Sequence, residues 1–105
     1  DFYMLGWGVP TLDSHYVFAY LLDAAGSWNA AGYNNARVNE LTTAMATEID
    51  LDKRTAMINE AWTLVQADMP YVPIHHQVLA WGLASTVDIP IAADDAFRPR
   101  YAVMQ

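Results

Sequence analysis

Residues 52–70 have the sequence DKRTAMINEAWTLVQADMP, which contains the most regular helical pattern of the chain. Apolar side chains recur there at spacings of three and four residues, as on the core-facing side of a helix, and these are Ile58, Ala61, Trp62, Val65 and Met69. Asp52 is expected to open this helix. Pro70 is expected to close it, because a proline disfavours helical geometry at the residue before it.

Two further helices are predicted on the N-terminal side of this one. Asn34 or Asn35 can cap a helix whose apolar stripe is formed by Val38, Leu41, Met45 and Ile49. Asp13 or Ser14 can cap an earlier helix, which is expected to end at residues 25–27 and whose stripe comprises Val17, Tyr20, Leu21 and Ala24. Three successive helices are therefore expected in the middle of the chain.

Apolar runs on both sides of the helices predict strands. Residues 2–5 are continuously apolar, as in a strand covered on both faces, and they lead into a tight loop in which glycines flank Trp7. Residues 71–82 alternate between two faces and predict a long strand, with Pro73 near its start. The order of strand, three helices and strand indicates an α/β fold in which helices pack on a mixed sheet.

The pattern is weaker towards the C-terminus. A short strand is expected within residues 86–91, where Pro90 interrupts it, and a final strand within residues 100–104. The paired acids Asp94 and Asp95 are expected to lie in a solvated turn between them.

Composition limits the classes of function. The chain has 105 residues, of which 54% are hydrophobic, and this is enough for one ordinary core. Its formal net charge is −7, with seven acids and one base in residues 1–52 and five acids and four bases in residues 53–105. No basic stripe is present that could replace phosphate counterions, so nucleic acid is a poor partner. Cysteine is absent, which excludes disulfides and thiolate metal sites.

The apolar run at residues 2–5 comes without an initiator methionine or a polar lead-in, so we expect the chain to be a segment of a longer protein. No run approaches the roughly 18 apolar residues that a membrane-spanning helix needs.

In order and spacing, several short motifs resemble the C-terminal quarter of the solute-binding proteins that serve peptide and nickel ABC importers. The motifs are DFYMLGWG at residues 1–8, YNNARVNEL at residues 33–41, DKR at residues 52–54 and DMPYVPIHH at residues 68–76. The family usually has Tyr-x-Asn-Pro-x-Val-Asp-x-Leu at the second motif. Ala36 and Asn39 replace its proline and aspartate, and both positions serve helix entry.

The resemblance implies two lobes joined by a hinge, with a solute enclosed between them. Residues 1–78 would be part of the C-terminal ligand-binding lobe, and residues 79–105 would form crossover and return strands toward the other lobe. Ligand closes such a protein by differential contact, and the membrane permease of the importer recognises the closed form. The implied partners are a peptide or other small solute, the permease and the rest of the same polypeptide. The implied location is the periplasm. In a Gram-positive cell it is the outer face of the cytoplasmic membrane, where a lipid anchor holds the protein.

Candidate ligand contacts lie in the loop after the first strand, because open α/β sheets bind ligands at the carboxyl ends of their strands. They are Trp7, Gly8, Val9, Thr11 and Asp13. In peptide-binding members of the family, an acidic residue three positions after the loop tryptophan pairs with the peptide's amino group, and here that position is Pro10. The loop is more similar to the Trp-Gly-x-Pro-x-Asp-Pro-His stretch of the nickel-binding members. Asp13 is also expected to act as a helix cap.

Other chemistries find little support in the sequence. His75 and His76 would leave opposite faces of a strand and could not bind one metal ion together, and His15 is distant from them in sequence. No catalytic or phosphate-binding motif occurs, so neither catalysis nor a cofactor is expected. The alternative is a free-standing small α/β enzyme or interaction module with the Trp7 loop as its pocket.

Overall fold

A computed structural model describes residues 2–92 and 96–104. The chain divides into two compact units. The helical unit comprises Val9–Pro73. The sheet unit comprises Asp1–Gly8 and Ile74–Gln105, of which residues 2–8, 74–92 and 96–104 are described.

The first helix, α1, spans Ser14–Val17 and continues as a π-helical turn over Phe18–Leu22. Asp13 caps it as predicted, because its carboxylate accepts a hydrogen bond of 2.8 Å from the backbone N–H of His15. The helix ends earlier than predicted. Asp23 is already extended, and its N–H closes the π-helical turn on the carbonyl of Phe18 at 2.7 Å.

The second helix, α2, spans Ala36–Met45 and begins where the sequence predicted. The side chain of Asn35 accepts hydrogen bonds from the N–H groups of Arg37 and Val38 at 3.0 and 3.2 Å. The predicted stripe is buried from Val38 to Met45. Its last member was predicted wrongly, since Ile49 lies beyond the end of the helix and is 93% exposed.

The third helix, α3, spans Leu51–Asp68, and Asp50 rather than Asp52 caps it. The carboxylate of Asp50 accepts from the N–H groups of Asp52 and Lys53, both at 3.1 Å. The helix stops before Pro70 because Met69 adopts the left-handed region with φ 47°. This leaves Met69 half-exposed instead of on the buried stripe.

The core of the helical unit lies where the three helices meet. Phe18, Val38 and Met45 are fully buried, and the rings of Phe18 and Trp62 lie with their centroids 4.7 Å apart. The remaining buried apolar side chains of this core are Leu21, Leu22, Leu41, Ala61 and Val65. None of the described helices is long and apolar enough to span a lipid bilayer.

The sheet unit contains two short antiparallel strands, β1 at Val87–Asp88 and β2 at Val103–Met104. A 3₁₀ turn at Pro99–Tyr101 precedes β2. Ile89 is buried beside β1, and the rings of Trp81 and Phe97 stack with centroids 5.7 Å apart. The two C-terminal strands were thus predicted in the correct places but too long. The predicted turn at Asp94 and Asp95 lies outside the described residues.

Two predicted strands do not form. Residues 2–5 and 71–82 have no strand structure, and Phe2 and Val78 are 92% and 88% exposed. An apolar pattern indicates that a segment suits a sheet, but a strand also requires a neighbour that accepts its backbone hydrogen bonds. In the described part of the chain neither segment belongs to a sheet. The fold is therefore a small mixture of helices and a two-stranded sheet, which agrees with the α/β class only in general terms.

Candidate functional site

The five predicted ligand contacts are close in sequence but belong to different units. Trp7 and Gly8 are in the sheet unit, and Val9, Thr11 and Asp13 are in the helical unit. The side chain of Trp7 is half-buried, and Gly8 is exposed. A Cβ added to Gly8 would meet no atom within 4 Å, so its backbone is open to approach.

A tight turn follows at the beginning of the helical unit. The N–H of Leu12 donates to the carbonyl of Val9 at 3.0 Å, which places Pro10 and Thr11 at the two central positions. Leu12 itself has φ 54°, an unfavourable value for a residue with a Cβ, and its side chain is 74% exposed. Exposed residues in strained backbone conformations occur preferentially at functional loops, which is consistent with a contact role for this turn.

Asp13 follows the turn, and its carboxylate already accepts two hydrogen bonds within the protein. One oxygen, Oδ1, accepts from the His15 N–H at 2.8 Å and from Nη2 of Arg54 at 2.9 Å. The hydrogen bond from Arg54 is the main reason why the pKa of Asp13 lies below its ordinary value. The cap role is thus confirmed, and the charge of Asp13 is balanced by Arg54 within the protein.

Arg54 is the residue that sequence reasoning missed. Its Nε donates to the carbonyl of Met45 at 3.1 Å while Nη2 binds Asp13, so one side chain joins α3 to the end of α2 and the start of α1. A signal for this role was present. Arg54 extends the apolar stripe of α3 by one turn, because Ile58 and Ala61 follow it at four and seven residues. A cation on a core-facing stripe requires a partner.

The polar loop before α2 is held by its own side chains. The amide of Asn29 donates to the carbonyls of Asp23 and Tyr33 at 3.0 and 2.7 Å, and its oxygen accepts from the Tyr33 N–H at 3.0 Å. Asn39 accepts from the N–H of Ala24 at 3.0 Å and thereby ties α2 to the same loop. Both asparagines therefore stabilise the loop.

Tyr33 and Asn35 converge on one carboxylate at the end of α3. The hydroxyl of Tyr33 donates to Oδ2 of Asp68 at 2.7 Å, and the amide of Asn35 donates to the same oxygen at 2.9 Å. Burial, followed by the interaction with Asp68, raises the pKa of Tyr33 to about 12. The hydrogen bonds from Tyr33 and Asn35 lower the pKa of Asp68. This network joins the polar loop to α3 and is structural.

The histidines are distributed over the two units. His15 is in α1, whereas His75 and His76 are exposed in a segment of the sheet unit without helix or strand structure. Among residues 2–92 and 96–104 there is no group of three or more acidic or histidine side chains that could hold a metal ion.

In comparisons with known proteins, no family model, no curated protein and no solved structure matched this chain. The resemblance to solute-binding proteins therefore rests on the sequence motifs alone.

Proposed function

We propose that this chain forms part of an extracytoplasmic solute-binding protein for an ABC importer of the peptide/nickel class. In this role it supplies one wall of a solute cleft and carries out no catalysis. The solute is a peptide or a related small polar molecule. The observation that carries the proposal is the order and spacing of the four motifs at residues 1–8, 33–41, 52–54 and 68–76.

The start of α2 supports the proposal. The family motif Tyr-x-Asn places its asparagine at residue 35, and Asn35 is the residue whose side chain caps α2. The family's aspartate position is Asn39, whose oxygen accepts from Ala24 in the way that a carboxylate would. The departure at Asn39 is thus compatible with the structural role of that position, and Ala36 is the first residue of α2.

The chemistry of the Trp7 loop limits the kind of solute. Residues 2–12 contain no acidic and no basic side chain, and the carboxylate of Asp13 is paired with Arg54. A buried charged group without a counter-charge, such as an ammonium, is strongly unfavourable. The loop instead offers an aromatic ring at Trp7 and open backbone at Gly8. We therefore propose that the part of the solute bound by this loop is uncharged.

Exposed apolar side chains in the sheet unit are consistent with further polypeptide around this segment. Four examples with exposures of 67% or more are Phe2, Met4, Ile74 and Val78. Apolar surface of this kind normally marks an interaction site. In the proposed protein, residues 1–78 belong to one lobe and residues 79–105 cross to the other. The protein acts in the periplasm, or on the outer face of the cytoplasmic membrane in a Gram-positive cell, and delivers its solute to a membrane permease.

The test is to purify the polypeptide encoded by the complete reading frame and to identify co-purifying small molecules by native mass spectrometry. The proposal expects one bound solute per protein, lost on replacing Trp7→Ala. Trp28→Ala is the matched control, since Trp28 is a 57% exposed tryptophan of the helical unit outside the loop. Recovery of peptides with free amino termini would contradict the uncharged subsite but leave solute capture intact.

A second candidate function is an interaction module. It is favoured by the same exposed apolar residues, most of all Val78. The two candidates differ in the parent gene. A reading frame several-fold longer with an export leader supports solute capture, and a free-standing frame of 105 residues supports the interaction module.

A further inference from the structure

The buried apolar side chains are divided unevenly between the two units. Among the described residues, eight of the nine lie in the helical unit, where they form the core around Phe18, Val38 and Met45. In the described part of the sheet unit the buried apolar side chain is Ile89. Burial of apolar surface is the main favourable contribution to folding, so most of this contribution belongs to the helical unit.

Regular backbone structure is divided in the same way. The helices α2 and α3 contain 10 and 18 residues, and the side chains of Asn35 and Asp50 cap them. In the described part of the sheet unit the regular structure consists of two strands of two residues each and one 3₁₀ turn. A two-stranded pair is marginally stable by itself. Units of fewer than about 40 residues usually need disulfides, a metal or a partner to fold alone. The sheet unit is close to that size, and the chain has no cysteine.

Both ends of the helical unit are tied to its interior by side chains. Near its start, Asp13 binds Arg54 of α3 at 2.9 Å. Near its end, the carboxylate of Asp68 accepts from Tyr33 and Asn35 at 2.7 and 2.9 Å. These bonds join residues 33 to 41 positions apart in sequence. All of their partners belong to the helical unit, so no residue of the sheet unit is needed to form them.

We propose that the helical unit, residues 9–73, unfolds as one cooperative unit and stays folded when the sheet unit unfolds. The chain then has a partly unfolded state in which its three helices remain packed while β1 and β2 have separated. The sheet unit is the part of the chain whose order can change without loss of the helical core. This inference goes beyond the proposed function and does not depend on it.

The test is native-state hydrogen exchange of the 105-residue chain at low concentrations of urea. The amides of Val87 and Ala102 report on the sheet unit, because each donates to the carbonyl three residues earlier at 2.9 Å. The amides of Leu41 and Val65 report on the helical unit, since they lie within α2 and α3. The proposal expects opening constants for the two sheet-unit amides that are roughly tenfold or more above those of the two helical amides.

Two truncations of buried side chains separate the units. Ile89→Ala should raise the opening constants of the two sheet-unit amides roughly tenfold or more and leave those of the two helical amides unchanged. Val38→Ala is the matched control, because Val38 is fully buried in the helical unit. It should raise the opening constants of the two helical amides roughly tenfold or more. The two sheet-unit amides should keep theirs, since they open before the helices do.

Two results would overturn the proposal. The first is one common opening constant for all four amides, which would show that the whole chain unfolds in a single step. The second is an equal increase at all four amides in Ile89→Ala, which would show that the helical core depends on the sheet unit.

Discussion

Arg54 and Asp13 are 41 residues apart in sequence, and their side chains form a hydrogen-bonded ion pair of 2.9 Å. The pair fixes the end of the Trp7 loop to the first turn of α3. The carboxylate of Asp13 also caps α1, so the same side chain stabilises the end of the loop and the start of the helix. Asp13 is consequently a structural residue within a candidate binding loop.

A double-mutant cycle measures this pair. Asp13→Ala should lower the free energy of unfolding by about 1 to 2 kcal/mol, because the cap and the ion pair are both lost. Arg54→Met should cost a similar amount, since it also removes the bond to the Met45 carbonyl. The coupling energy should be about 0.5 to 1 kcal/mol, because the two side chains are 37% and 23% exposed. Urea unfolding of the wild type, the two single mutants and the double mutant gives the four free energies that the cycle needs.

The exposed pair between Arg37 and Glu60 provides the control for that cycle. Both of its side chains are 46% exposed, so Glu60→Gln should leave the unfolding midpoint unchanged. A large effect of Glu60→Gln combined with none from Arg54→Met would contradict the importance given to the Asp13 pair.

Acid should remove the contribution of Asp13. The folded pKa of this carboxyl lies below its ordinary value of 3.8, so the charged form stabilises the fold above that pH. The stabilisation is lost as the pH falls from 3.8 through the lowered pKa. The difference in unfolding free energy between the wild type and Asp13→Asn should therefore be constant near neutral pH and shrink in strong acid. A difference that grows on acidification would show that folding raises the pKa of Asp13 instead of lowering it.

Tyr33 should ionise later than an ordinary tyrosine. Its pKa is raised to about 12, first by burial and then by the bond to Asp68. Ultraviolet titration of tyrosinate should show a high-pH component that Tyr33→Phe removes. Asp68→Asn should move that component only part of the way towards 10, because burial is the larger cause. A titration identical in the wild type and Tyr33→Phe would contradict the network.

Gly26 should not tolerate a side chain. A Cβ there would lie 2.6 Å from the carbonyl oxygen of Tyr20 and 2.9 Å from that of Asp23, and neither backbone atom can move easily. Gly26→Ala should therefore lower the free energy of unfolding by about 1 to 3 kcal/mol. Gly6→Ala is the control, because nothing lies within 4 Å of its added Cβ. Equal thermal midpoints for Gly26→Ala and Gly6→Ala would contradict the close packing described around Gly26.

Sequence patterns predicted the helices well and the strands poorly, for a physical reason. Caps and stripes are local, so Asn35 and Val38 could be placed from their neighbours in sequence. A strand depends on a partner that is often distant in sequence, so the segments around Phe2 and Val78 have the apolar pattern of strands without forming them. Arg54 was missed because its two partners are 9 and 41 residues away.

The candidate loop shows the same limit. Asp13 could be predicted as a cap because its N–H partner is two residues away. Its pairing with Arg54 could not be predicted, since the two residues come together only in the folded chain. The left-handed conformation of Leu12 also has no local sequence signal, because leucine rarely adopts it.

The most direct measurement is hydrogen–deuterium exchange of the full polypeptide with its co-purified solute bound and after the solute has been removed by dialysis. Solute capture by the Trp7 loop predicts slower exchange at the amides of Gly8, Val9 and Thr11 in the bound state. The polar loop held by Asn29 should exchange equally in both states. Protection confined to residues outside 7–13 would contradict the account.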